Sequence, residues 1–214
     1  DLPIDNKGTM YRAWTFDGQM PGPVVRVTEG DVVEFTLTND KANKNSHSVD
    51  FHAARVDVVK DFEPVKPGET KKFMFTASYP GTFFYHCGAD PMIQHIARGM
   101  FCVIIVDPKD GWGTTADKEF VIVQSEFYTK ATSDSTMVDA DWNAEKMKNA
   151  TYVVFNGRAG QYKDHPLNVA AGDRVRFYVV NAGPNFDSDF HVVGAVFDRV
   201  YPDGNPKHVL EGVQ

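Results

Sequence analysis

The segment VTEGDVVEFTLTN at residues 27–39 returns as VAAGDRVRFYVVN at 169–181, and two flanking signatures return with it. FDG at 16–18 recurs as FNG at 155–157, and DFH at 50–52 recurs at 189–191. The offset stays between 139 and 142 residues, far too long for a stack of small repeats, so the chain carries two copies of one larger unit. In each copy a Gly-Asp turn feeds an alternating strand, which is the punctuation of a β unit rather than of a helical one.

The remaining segments agree. KKFMFTA, GTFFYH, GMFCVIIVD, KEFVIVQSEFY and TYVVFNG are short, rich in β-branched and aromatic residues, and bounded by Gly, Pro, Asn and Asp. One stretch, 139–150, reads as a short helix. This predicts an all-β chain of two tandem sandwiches, residues 1–107 and 119–214, joined by a turn-rich linker at 108–118. The first copy continues past DFH through three further strand segments that have no counterpart after 191. The second sandwich is therefore expected to be incomplete at its C-terminus, with the chain a truncated or cleaved product or completed by another polypeptide.

Bulk composition narrows the partners. A net charge of −7 without a Lys/Arg run argues against nucleic acid and anionic membranes. No apolar stretch reaches the roughly 18 residues of a membrane span, and no basic-apolar leader opens the chain, so any export signal is expected to have been removed or never present. Two cysteines, Cys87 and Cys102, offer one disulfide.

The stretch YHCGADPMIQHIARGM at 85–100 competes with that disulfide. If GTFFYHC is a strand, His86 and Cys87 point to opposite faces. The same parity in HSVDFH puts Ser48, Asp50 and His52 together and His47 on the other side. Two sets follow: His47 with Cys87, and His52 with His86 beside Asp50. His95 and Met100 complete the first as two imidazoles, a thiolate and a thioether, the ligand set of blue-copper centres. Met92 is a rival axial ligand, disfavoured by its turn-like DPM context, and Cys102 reads as a buried small hydrophobe.

With HSVDFH, the 85–100 stretch and DFHVVGAVFDRVYPDG at 189–204, essentially the whole chain resembles the copper-containing nitrite reductases. The resemblance implies two cupredoxin-like Greek-key β-sandwiches per subunit and a homotrimer with active sites at subunit interfaces. It makes His47, Cys87, His95 and Met100 the type 1 copper ligands, and His52 and His86 two of three type 2 copper ligands. The third histidine would come from late strands of a neighbouring subunit's second domain, strands without a counterpart here. His165 and His208 match no ligand position and are expected in exposed loops. Asp50 and His191 would deliver protons to nitrite, with Val193 walling the pocket. A small redox protein, a cupredoxin or cytochrome c, would be the electron donor, and the location would be periplasmic. The alternatives are a multicopper oxidase, whose cluster needs His-x-His pairs that the chain lacks, an electron-transfer cupredoxin, and an inactive fragment keeping only type 1 copper.

Overall fold

The computed structural model describes residues 1–143 and 149–214. The first half contains β1 (Leu2–Pro3), β2 (Met10–Tyr11), β3 (Val25–Thr28), β4 (Val32–Thr38), β5 (Asp50–Phe51), α1 (Val58–Asp61), β6 (Thr70–Thr76), β7 (Gly81–His86), α2 (Met92–Ala97) and β8 (Phe101–Asp107). The second contains β9 (Lys118–Phe127), β10 (Thr129–Ala131), β11 (Met137–Ala140), β12 (Tyr152–Phe155), α3 (Gln161–Asp164), β13 (Val175–Asn181), β14 (Phe197–Val200) and β15 (Leu210–Val213). Every strand read from the sequence is present. Within the stretch expected to be helical, 139–140 belong to β11, 142 and 143 are helical, and 144–148 lie outside the described residues. The 139–140 part is strand because β11 finds ladder partners in both β10 and β2, which outweigh local helical preference.

The first half is a sandwich. One sheet runs β3-β8-β7-β5 and the other is the β4–β6 pair. Between them sits an aromatic core centred on Phe51, whose ring lies 4.9 Å from Phe35, 5.5 Å from Phe75 and 5.0 Å from Tyr85. Along β6 the alternation is clean, with Phe73 and Phe75 buried and Lys72 and Met74 facing out. In β8, by contrast, Phe101 to Val106 are all buried. That run is flanked by β3 and β7 and packed on both faces, which is why it lacks alternation.

The duplicated turns fold alike. Asp17 with Gly18, and Asn156 with Gly157, share positive φ angles of 52°, 73°, 50° and 79°. The Gly30 and Gly172 turns have φ of 95° and 94°, and in each the following aspartate accepts a backbone N–H three residues back at 2.8 Å. Only glycine adopts that φ without strain. The strands that follow find different partners, however. β4 pairs antiparallel with β6, whereas β13 pairs parallel with β9. The second DFH, at 189–191, forms no strand.

The halves share one core and a polar joint. Residues 108–117 form no strand, and Trp112 within them is buried against Tyr178 and Tyr201. Arg26 bridges Asp107 at 2.6 Å and Glu119 at 2.5 Å, while Arg176 reaches Glu119 at 2.6 Å. Burial alone would raise the Glu119 carboxyl, but hydrogen bonds from Arg26, Arg176 and Tyr178 hold it down to about 2. The parallel pairing of β11 with β2 ties the N-terminal segment to the second half.

Phe51→Ala should destabilise the fold by about 3–5 kcal/mol, because a large cavity opens where both sheets meet. Denaturant titration of the two proteins measures this, and a loss under 1 kcal/mol would place the core elsewhere.

Candidate metal centres

Strand pairing generates two donor groups from one stretch of backbone. In the β5–β7 ladder Asp50 stands opposite His86 and Phe51 opposite Tyr85, and the His52 amide donates to the Phe84 carbonyl at 3.1 Å. Asp50, His52 and His86 therefore share the outer face, while Phe51 and Tyr85 point into the core. Cys87 extends β7 by one step, its amide donating to the Met100 carbonyl at 3.0 Å, so it faces inward with Met100. The parity expected from the sequence holds at His86–Cys87. It does not explain His47, because residues 47–49 form no strand. His47 is delivered by an isolated bridge to Val65, with backbone hydrogen bonds of 3.0 and 2.7 Å.

The inner group is closed. His47, Cys87 and His95 are all buried. The two Nδ1 atoms are 3.1 Å apart, and Cys87 Sγ lies 3.1 Å from His95 Nδ1 and 3.9 Å from His47 Nδ1. Nitrogen and sulfur donors each held at ~2.0–2.3 Å from one ion stand roughly 3–4 Å apart, so this triangle fits a shared ion. Met100 is 3% exposed and bound through its main chain to both His95 and Cys87. Met92, by contrast, is 46% exposed. His95 rides on α2, a helical turn within the loop that the sequence left without structure. Burial pushes the Cys87 thiol up and both imidazoles down, His95 to about 4. Neutral imidazoles are ready to ligate, whereas the thiol must surrender its proton to a cation.

The outer group is open. His52 Nε2 and His86 Nε2 are 3.1 Å apart, and Asp50 Oδ2 is 4.0 Å from His86 Nε2. His86 Nδ1 donates to the Cys87 carbonyl at 3.0 Å, which fixes its tautomer and leaves the Nε2 lone pair facing His52. His52 is exposed and Asp50 half-buried, so solutes reach this group. Burial, then His86, push His52 down, with Asp50 acting in the opposite sense. His191 joins neither group. It is exposed in the segment after β13, beside Asp189, Phe190 and Gln214, and Val193 is 91% exposed. His165 and His208 are exposed and also belong to neither.

The sequence profile of the multicopper oxidase family matches residues 3–111. The chain is 44% identical over 212 residues to the copper-containing nitrite reductase of Neisseria gonorrhoeae, covering 97% of this chain and 53% of that protein. The solved copper nitrite reductase of Nitrosomonas europaea superposes with a TM-score of 0.89 at 56% identity, over 100% of this chain and 75% of that one. That of Thermus scotoductus gives 0.87 at 37% identity, over 100% of this chain and 49% of that one. The chain belongs to the copper-containing nitrite reductase family. It spans about half the length of the curated relatives it matches.

For a member of the nitrite reductase family, Asn39 and Trp14 escaped sequence reasoning, and Ser48, grouped by parity with Asp50 and His52, also serves the Cys87 group. Asn39 is buried, and its amide donates to the Asn45 and Val65 carbonyls at 2.9 Å each, fixing the loop that presents His47. Its repeat counterpart Asn181 likewise holds its own following loop, donating to the Phe186 carbonyl at 2.7 Å, so the duplication carried a signal for this role. The Ser48 amide donates to Cys87 Sγ at 3.3 Å, and its hydroxyl accepts from Gly88 N–H at 3.0 Å. Trp14 packs against both inner imidazoles; no spacing rule links position 14 to them.

Cys87 and Cys102 are both free, so the disulfide alternative is excluded. Cys102 stands opposite Tyr85 within the apolar β8, with burial pushing its thiol up to about 11. Metal-free protein at pH 8 should therefore resist iodoacetamide when folded and take two adducts per chain when unfolded without reductant. Intact mass reads both numbers, and fewer than two adducts after unfolding would contradict the free thiols.

Proposed function

We propose that this protein reduces nitrite to nitric oxide, consuming one electron and two protons and releasing water. The observation that carries the proposal is that the closed and open donor groups meet at one peptide, His86–Cys87, reinforced by the His86 Nδ1 hydrogen bond to the Cys87 carbonyl. In this reading His47, Cys87, His95 and Met100 hold type 1 copper, and His52 and His86 contribute to type 2 copper. Copper, when bound, would supply one-electron chemistry in the closed group and a Lewis-acidic position for an anion in the open one.

The chain's own residues do the rest. The buried group keeps water from the thiolate, and the Ser48 N–H orients and stabilises its sulfur. The rigid β7 backbone holds His86 and Cys87 as a fixed covalent link between the groups. Asp50 shares a face with His52 and His86, and in this reading it hydrogen-bonds nitrite oxygen and passes it a proton. His191 is the second proton donor. His191 lies in neither donor group of its own chain, and in this reading it serves the site of a neighbouring subunit in a homotrimer; the third type 2 histidine is assigned to no residue of this sequence. A small redox protein, a cupredoxin or cytochrome c, supplies the electron, and the periplasm is the proposed location. Among the described residues no helix is long and apolar enough to cross a membrane.

A pure electron carrier has no use for the open group, and no His-x-His pair supports an oxidase cluster. Copper-loaded protein should hold two coppers per chain with an intense visible band. Cys87→Ser should abolish that band. Asp50→Asn and His191→Ala should keep it while lowering nitrite turnover about 10²–10⁴-fold, the usual scale for losing a positioned acid. One copper per chain would favour the carrier, and full turnover in either variant would remove that side chain from proton delivery.

A further inference from the structure

Arg98 closes the helix that carries His95, and its carbonyl accepts the Trp14 N–H at 2.9 Å. Its guanidinium carbon lies 4.9 Å from the Trp14 ring centroid. The indole in turn meets His95 and His47 in edge-to-face fashion, with centroids 4.8 and 5.5 Å away. One guanidinium, one indole and two imidazoles thus form a continuous stack ending on the donors of the closed group.

This cation is not a solvated surface charge. The Arg98 side chain is 11% exposed, and Nη1 donates to Asp139 Oδ1 at 2.6 Å and to the Arg12 carbonyl at 3.3 Å. Its Nε is buried with no hydrogen-bond partner. Leaving a buried donor unpaired costs stability, so packing alone does not account for an arginine here. Asp139 lies on β11 and also faces the exposed Arg12 at 3.8 Å. Two guanidinium groups against one carboxylate leave this corner positive. The stack brings this charge to the closed group, with the guanidinium carbon 4.9 Å from the Trp14 ring centroid and that ring 4.8 Å from the His95 ring. A fixed positive charge beside the centre opposes the more highly charged, oxidised state of a metal bound there.

We propose that Arg98 is a positioning residue for the His47–Cys87–His95 centre, clamping Trp14 over both imidazoles and raising, by its fixed charge, the reduction potential of copper held there. This rests on the copper assignment above.

The test is potentiometric titration of the copper-loaded protein, following the visible band. Arg98→Met should lower the potential, Arg98→Lys should restore most of it, and Asp139→Asn, which removes the opposing negative charge, should raise it. Opposite signs from the two sides of one ion pair are not produced by loosened packing. Unchanged potentials in Arg98→Met and Asp139→Asn, or shifts of the same sign, would overturn the charge role. If Arg98→Met does not fold, the sign for Asp139→Asn decides alone. In metal-free protein, Trp14 emission, isolated by difference against Trp14→Phe, should move to longer wavelength in Arg98→Met, and an unmoved spectrum would overturn the clamp. Wild-type protein that takes up copper without an intense band would instead refute the copper assignment itself.

Discussion

The pleat of β7 at its last residue governs everything functional in this molecule. Because β7 is held on one side by β5 and on the other by β8, its backbone cannot rotate, and His86 and Cys87 must diverge to the outer face and the core. A one-residue slip of register would exchange the two side chains and dismantle both donor groups together. The Asp50–His86 and Phe51–Tyr85 pairs guard against that slip, since moving Phe51 out of the aromatic core would expose a large apolar ring.

The same ladder separates two environments a few ångströms apart. Inward, burial keeps imidazoles neutral and water away, so a bound ion would exchange electrons with little rearrangement around it. Outward, His52 and Asp50 meet solvent, and a small anion has room to approach. The contrast arises from sheet geometry and not from different ligand chemistry, since histidines serve both groups. Contacts from distant segments then refine the inner one: Asn39 through the Val65 bridge, Ser48 at the sulfur, and Trp14 with Arg98 over the imidazoles.

Much of this was legible in the residues. The alternation of β6, the unbroken apolar run of β8 and the paired Gly-Asp turns identify strands because each reflects a local period or a local φ requirement. The His86–Cys87 division follows from the same period. Less accessible were the short strands β1, β2, β10 and β11, which are too brief to show periodicity and exist because they pair with one another across the halves. The α2 turn was hidden because its six residues span less than two helical turns. The second DFH repeats the first in letters but forms no strand, since nothing like β7 lies beside it among the described residues.

The sequence by itself determined the β architecture, the duplication and the separation of adjacent donors onto two faces, because all three depend on spacing along the chain. Only the tertiary structure decided that His47 reaches the Cys87 group through Val65, that Met100 and not Met92 is buried there, and that Arg98 and Trp14 stack upon it. These depend on which segments lie side by side in space, and hydrogen bonds and packing between residues dozens of positions apart leave no period in the sequence to read.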